Sequence, residues 1–267
     1  MLAVSVRDLE SMSLRALKRT ACISLLGVSL LGGCKFFHTA YTAQGVYFGS
    51  FTPSGSTSSV PVYGAILPGQ YAYADSADGN LYVLPDTIQN DSFTDNVTGF
   101  PPLGQAFGNG QTIHHFTFDG QGSDNNSTVD NISGTLSGDT GGGTLDLNYQ
   151  DLSTTVPLLS ALAGTYRGYY WGNSTAVSVT LSDTGAFSFN DGFGCSGLGN
   201  LGVVPNYNLL QINATISGNA VCPGFIQGLG FSDTQDRGNL FQKASGTYLY
   251  LGMSNSVTGF IVELYKS

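Results

Sequence analysis

The sequence predicts an all-β protein whose antiparallel strands form a barrel or sandwich-like body built from two divergent tandem repeats. Three observations support this fold class. Glycine is abundant, with 37 residues, and the aromatic content includes 16 Phe and 14 Tyr. Short runs of alternating apolar and polar residues recur between turn signals, a pattern typical of β-strands. The two halves of the chain also begin and end with similar sequences, which indicates an internal repeat.

The first repeat covers residues 45–155 and consists of short alternating runs separated by turn-forming residues. A hairpin signal, Asp78-Gly79-Asn80, separates two of these runs. Residues 85–110 lack clear alternation, and we expect a long loop there. The predicted strands of this repeat lie at 45–51, 60–66, 70–74, 81–84, 112–118, 128–136 and 143–149.

The second repeat covers residues 156–267 and opens with a candidate helical turn at 156–163. The sequence GTYRG at 164–168 then matches the G-x-Y-x-G opening GVYFG at 45–49. Each repeat is about 100 residues long and can bury only a modest core. Barrel closure would remove exposed sheet edges, so we expect one closed body, although two small domains stay open as an alternative.

The first 34 residues differ in composition from the rest of the chain. Arg15, Lys18 and Arg19 form a basic region, which an uncharged, largely apolar run follows at 21–33. A membrane-spanning helix needs about 20 apolar residues, so this run is too short to span a bilayer. It is typical of a signal peptide, and we expect residues 1–33 to be one, starting at Met1 or Met12.

The motif Leu31-Gly32-Gly33-Cys34 directly after this run resembles the lipobox of bacterial lipoproteins. The resemblance implies that Cys34 becomes the lipidated N-terminus and that residues 34–44 form a tether. With Lys35 after the modified cysteine, it implies an outer-membrane location, on the periplasmic face or at the cell surface. Several acyl chains on one cysteine would give stable anchoring. The mature chain resembles Gly-rich β-repeat lipoproteins of the outer membrane, a group of unknown function.

The charge of the chain is strongly acidic, with 9 Lys and Arg against 18 Asp and Glu. Four of the basic residues lie in the predicted signal peptide, so the mature chain has a net charge near −11. So few basic residues on an acidic surface exclude a nucleic-acid-binding patch. An acidic body favours solubility or a basic partner.

Cysteine usage predicts one disulfide bond. The chain contains four Cys. Cys22 is lost with the signal peptide and Cys34 carries the lipid, which leaves Cys195 and Cys222. An even pair in an exported domain is expected to form a disulfide. Two isolated Cys without a nearby His lack the ligands for zinc.

No motif in the sequence predicts catalysis, a metal or a cofactor. His114 and His115 fall on opposite faces of a strand, and the chain contains no G-x-S-x-G motif. The G-x-G-x-x-G matches at 192–202 do not open a helix and are expected by chance in a Gly-rich chain. An acidic turn contains Asp119, Asp124, Asn126 and Asp130 but lacks the EF-hand spacing for calcium.

Aromatic residues provide the best candidates for a binding surface. In Tyr169-Tyr170-Trp171, alternation would expose Tyr169 and Trp171 or bury both. The stretch 223–233, expected to be a loop, adds Phe225 and Phe231. Exposed aromatic residues can stack on sugars or anchor a protein partner.

The predicted function is that of a non-enzymatic, lipid-anchored envelope lipoprotein that acts as a binding or structural module, without a cofactor. One alternative is a barrel that carries a small apolar ligand. Another is an inhibitor or immunity-type lipoprotein directed against a cell-wall-degrading enzyme, which the acidic charge would suit.

Overall fold

The computed structural model of the chain describes residues 41–69, 72–84, 88–89, 91–124, 128–139, 141–238, 240–241 and 245–267. The predicted signal peptide 1–33, the lipidation site Cys34 and most of the predicted tether 34–44 therefore lie outside the described residues. The two β repeats make up nearly all of the described chain.

The first repeat forms a closed, antiparallel barrel of eight strands. Each strand pairs with its neighbour in sequence, and the last strand pairs with the first to close the barrel. The strands are β1 (Gly45–Pro53), β2 (Val60–Ile66), β3 (Ala72–Ser76), β4 (Leu81–Leu84), β5 (Ser92–Phe100), β6 (His114–Asp124), β7 (Val129–Gly138) and β8 (Gly141–Tyr149).

The second repeat forms a closed barrel with the same strand order, connected to the first by a short linker. The linker holds a 3-10 turn, Asp151–Thr154, and one helix, α1 (Leu159–Leu162), which lies within the helical turn predicted at 156–163. The strands are β9 (Gly164–Tyr170), β10 (Ala176–Leu181), β11 (Ala186–Asp191), β12 (Ser196–Val203), β13 (Leu210–Ser217), β14 (Gly224–Asp233), β15 (Tyr248–Ser254) and β16 (Gly259–Lys266).

The predicted fold class is thus confirmed: the protein is all-β and antiparallel, with one barrel per tandem repeat. Closure takes place within each repeat, since β8 pairs with β1 and β16 pairs with β9. The expectation of one closed body was therefore wrong, and the two repeats form two barrels. Each repeat thereby pairs both of its terminal strands, which removes the sheet edges that would otherwise invite association.

Two segments expected to be loops are strands in the structure. β5 lies inside the predicted loop 85–110, and its polar residues at alternate positions face outward. β14 replaces the predicted loop 223–233. In β14, a side chain at Gly228 or Gly230 would collide with the backbone carbonyl of Gly252 or Tyr250 on β15. Glycine here permits close strand pairing and does not mark a turn.

Apolar side chains fill the interior of each barrel. In the first barrel the inward-facing core includes Phe118, Ile132 and Leu147, all essentially inaccessible to solvent. In the second barrel the corresponding positions include Ile226 and Leu264. These residues alternate with outward-facing ones along each strand, as expected for a small barrel.

A third apolar core lies between the two barrels. The outer face of the first barrel at β1–β4 packs against the outer face of the second at β14–β16. Aromatic rings dominate the contact: Phe48 lies 5.6 Å from Phe231, and Tyr63 lies 5.5 Å from Trp171. The two barrels therefore share one buried interface, although each has its own interior core.

Candidate functional site

The predicted disulfide is present and joins two turns at one end of the second barrel. Cys195 lies in the turn between β11 and β12, and Cys222 lies in the turn between β13 and β14. Their Cα atoms are 5.6 Å apart, within the usual range for a disulfide. The Asp191 carboxylate accepts the backbone N–H of Cys195 at 2.8 Å, so the first turn is also held by a side chain.

Two of the four aromatic residues predicted for a binding surface are buried, which corrects that prediction. Trp171 is 3% exposed and Phe231 is inaccessible. Phe231 does face outward from its strand, but the first barrel covers that face. Trp171 follows the end of β9 and enters the same interface. Alternation indicates the side of the sheet that a residue occupies and does not tell whether another barrel covers it.

The other two predicted aromatic residues reach solvent, at separate places. Phe225, at the start of β14, is 57% exposed. Tyr169, on β9, is partly exposed, and its ring lies 5.9 Å from that of Phe241. β9 and β14 are not neighbours in the barrel. The four residues therefore do not form one surface.

A groove on the outside of the second barrel surrounds Tyr169. It encloses about 540 Å³ and is bordered by Arg167, Asn190 and Phe241. Arg167 is exposed and lies directly opposite Ser178 on the neighbouring strand β10. The groove thus combines a guanidinium with two aromatic rings.

The interface between the barrels contains a buried glutamate, Glu263, on β16. Its carboxylate accepts a hydrogen bond from Trp171 Nε1 at 2.9 Å and lies 2.9 Å from the Tyr250 hydroxyl. The same hydroxyl lies 2.6 Å from the Gln235 carbonyl oxygen. A hydroxyl has one proton. The Tyr250 hydroxyl can therefore donate to only one of these two oxygens at a time, and its own oxygen accepts the backbone N–H of Arg237 at 2.6 Å.

The pKa of Glu263 is raised from its usual 4.5 to about 7. Burial is the largest cause, because it disfavours the charged form. The neighbouring carboxylate of Asp236 raises the pKa further, while the hydrogen bonds from Tyr250 and Trp171 lower it. Glu263 is one of only two Glu in the sequence and lies in the apolar run GFIVELY, a pattern from which its burial could have been predicted.

A second buried carboxylate, Asp75 on β3, lies in the same interface. Its Oδ1 faces Gly252 of the second barrel and has no hydrogen-bond partner among the described residues. Burial raises the pKa of Asp75 well above its usual value. The interface also contains a cation, because Arg237 Nε donates to the Asp233 carboxylate at 2.7 Å and its guanidinium lies 4.5 Å from the centre of the Phe48 ring.

A polar cleft, the junction cleft, opens at one side of the contact between the barrels. It encloses about 700 Å³. Its walls come from the segment before β1, from β7 and β8, from the 3-10 turn and from the turn between β12 and β13. The lining residues are Thr42, Gln44, Thr128, Asp130, Asn148, Tyr149, Asp151, Thr154, Asn206 and Tyr207.

Buried polar side chains hold the walls of the junction cleft in place. Ser153, inaccessible to solvent, accepts the Val46 N–H on its hydroxyl oxygen at 2.7 Å. The Ser153 carbonyl accepts the backbone N–H of Asn208 at 2.7 Å. The Asn208 side chain in turn exchanges hydrogen bonds with the backbone of Ser232. Satisfied buried networks of this kind fix local geometry. Ser153 belongs to the 3-10 turn and Asn208 directly follows Tyr207, so the network joins two walls of the cleft.

The two barrels differ sharply in charge. Residues 45–155 contain eleven Asp and no Glu, Lys or Arg, whereas residues 156–267 contain five acidic and four basic residues. Residues 45–155 therefore have a net charge of −11, whereas residues 156–267 have a net charge of −1 (five acidic against four basic residues). Among its exposed carboxylates are those of Asp119 on β6 and Asp146 on β8.

The two histidines and the acidic turn considered in the sequence analysis form no metal site among the described residues. His114 is buried against Phe116 and His115 is exposed, as alternation predicts. Asn126 of the acidic turn lies outside the described residues. Within the described ranges, no group of three or more His, Cys, Asp or Glu side chains could hold a metal ion.

An internal cavity of about 20 Å³ lies inside the second barrel. Only apolar side chains line it, among them Val179, Leu251 and Leu264. A cavity of this volume has room for about one water molecule and is far smaller than a typical ligand pocket of about 300–1,000 Å³.

No helix in the described part of the chain is long and apolar enough to cross a membrane. No protein-family model, no curated protein and no solved structure matches this chain.

Proposed function

We propose that this protein is a lipid-anchored, non-enzymatic envelope lipoprotein that acts as a binding module through the outer surfaces of its two barrels. The observation that carries the binding role is the junction cleft. It is open to solvent, contains aromatic and hydrogen-bonding side chains, and is held in place by the buried Ser153–Asn208 network. Ligand sites commonly combine these features in a pre-formed concave surface.

The anchoring part of the proposal is supported by the lipobox-like motif and is tested by membrane fractionation. Cys34→Ser should release the protein from the membrane, because it removes the atom that would carry the acyl chains. Cys22→Ser is the matched control, since it changes another cysteine of the same segment and should leave the protein bound. If Cys34→Ser still sediments with the outer membrane, the anchor is wrong.

The binding part is tested by site-specific photo-crosslinking in intact cells. A photo-reactive phenylalanine analogue at Tyr207, in the junction cleft, should form a specific adduct. The same analogue at Asp183, in an exposed hairpin turn of the second barrel, should form none. If neither position forms an adduct, a structural role without a partner is favoured.

The alternative of a carrier for an apolar ligand has little support from the second barrel, whose internal cavity is about 20 Å³. Such a ligand would require the core side chains to move apart. Native mass spectrometry of the purified protein tests the alternative, because a bound lipid or pigment would appear as added mass.

A further inference from the structure

We propose that the junction cleft binds lysine or arginine side chains of a basic protein, which the acidic first barrel attracts. This inference deepens the proposed function, because it names the class of partner for the same cleft. It agrees with the inhibitor alternative if the partner is a basic cell-wall-degrading enzyme.

The composition of the cleft is suited to cationic side chains. Tyr149 and Tyr207 contribute aromatic rings, Asp130 and Asp151 contribute carboxylates, and the lining residues that the structure describes include no Lys or Arg. Ammonium and guanidinium groups pair with carboxylates and also pack over aromatic faces.

The protein itself contains an example of this recognition. At the interface between the barrels, Arg237 is held between the Asp233 carboxylate and the ring of Phe48, at 2.7 Å from the carboxylate and 4.5 Å from the ring centre. The cleft offers the same two kinds of group to a side chain from outside the molecule.

The charge distribution supplies a second, independent argument. With eleven Asp and no Lys or Arg, the first barrel has no internal cation to neutralise its field. A one-sided field of this kind steers a partner of opposite charge and raises its association rate. Asp146 lies two positions before Asn148 on β8, on the same face, so the acidic surface leads to the cleft.

A neutral sugar could also stack on Tyr149 and Tyr207. We favour the basic partner because Asp130 and Asp151 belong to residues 45–155, which contain no Lys or Arg, whereas a neutral ligand would gain nothing from that charge. The Ser153–Asn208 network fixes the walls before binding, which lowers the cost of ordering the site.

The test measures binding of two basic probe proteins, lysozyme and cytochrome c, to the full chain carrying Cys34→Ser. Biolayer interferometry at low and physiological salt gives the affinity and its salt dependence. Asp130→Asn with Asp151→Asn should weaken binding of at least one probe by about tenfold or more. The matched control, Asp139→Asn with Asp183→Asn, removes the same charge from two exposed hairpin turns and should weaken it by less than about threefold.

Three results would overturn the proposal. The first is that neither probe binds at low salt. The second is that both pairs of substitutions weaken binding equally, which would indicate diffuse attraction without a site. The third is that a neutral oligosaccharide, chitohexaose, binds and is lost on Tyr207→Ala, while the basic probes do not depend on Asp130 and Asp151. A thermal melt of each variant confirms folding. Because the measurement is made in solution, it is independent of the fractionation result for the anchor.

Discussion

The protonation of Glu263 should make the protein more stable at pH 5 than at pH 8. The pKa of this group is about 7 in the folded protein and 4.5 ordinarily, so the folded state binds the proton more tightly than the unfolded state. A raised pKa contributes stability that is fully present below the unfolded value and is lost as pH rises through the folded value. The loss therefore falls between about pH 4.5 and pH 7.

The size of the effect follows from the difference between the two pKa values. A shift from 4.5 to about 7 corresponds to about 3 kcal/mol in the free energy of unfolding. About 2.5 kcal/mol of this difference falls between pH 5 and pH 8. The pKa of Asp75 is raised as well, so its contribution has the same sign. The midpoint of thermal unfolding should fall by roughly 5–10 °C over this range.

Urea unfolding at several pH values measures this dependence. Trp171 is the only Trp in the chain, and its indole N–H donates to Glu263, so its fluorescence reports on the interface. Glu263→Gln retains a hydrogen-bond acceptor for Trp171 but does not titrate. In this variant only the part of the slope that belongs to Asp75 should remain, and adding Asp75→Asn should remove that part.

The reasoning is refuted if the wild-type free energy of unfolding is flat or increases from pH 5 to pH 8. It is also refuted if Glu263→Gln retains the full slope. Measurements stop at pH 8 because burial raises the pKa values of several tyrosines above 10, and those groups titrate beyond this range.

Two further predictions concern the second barrel. Replacing Cys195 and Cys222 by Ser should lower the free energy of unfolding by about 3.5 kcal/mol, because the disulfide closes a loop of 27 residues. A urea midpoint equal to that of the wild type would contradict this prediction. Gly230→Ala should lower the free energy of unfolding by about 1–3 kcal/mol, because the new Cβ would collide with the Tyr250 carbonyl oxygen. In the control Gly202→Ala, the new Cβ meets no atom within 4 Å, so this variant should be nearly as stable as the wild type. Equal melting temperatures for the two variants would count against the close approach of β14 and β15.

The fold class could be predicted because its signals are local. Alternation with a period of two shows which residues face a barrel interior, and turn residues mark the ends of strands. The disulfide could be predicted because Cys195 and Cys222 are the two cysteines that remain once Cys22 and Cys34 are assigned. The same local reasoning failed at β14, where Gly228 and Gly230 suggested a loop but permit close strand pairing.

The candidate site could be predicted only in part. Tyr169 and Phe225 do reach solvent, but they lie on separate strands and form no common surface. The junction cleft was missed because its walls come from segments distant in sequence, such as those containing Tyr149 and Tyr207. No short pattern links them, although the position of Glu263 within an apolar run could have signalled the nearby interface.

By itself, the sequence determined the all-β architecture, the tandem repeat, the acidic charge and the cysteine pairing, since these depend on composition and on short-range periodicity. Only the tertiary structure decided that each repeat closes its own barrel and that the barrels pack through aromatic outer faces. Trp171 and Phe231 became buried, and Glu263 and Asp75 were taken out of water, as a result of that packing. The physical reason is that alternation specifies the two faces of a strand, whereas the contact between two closed barrels depends on the shape of whole surfaces.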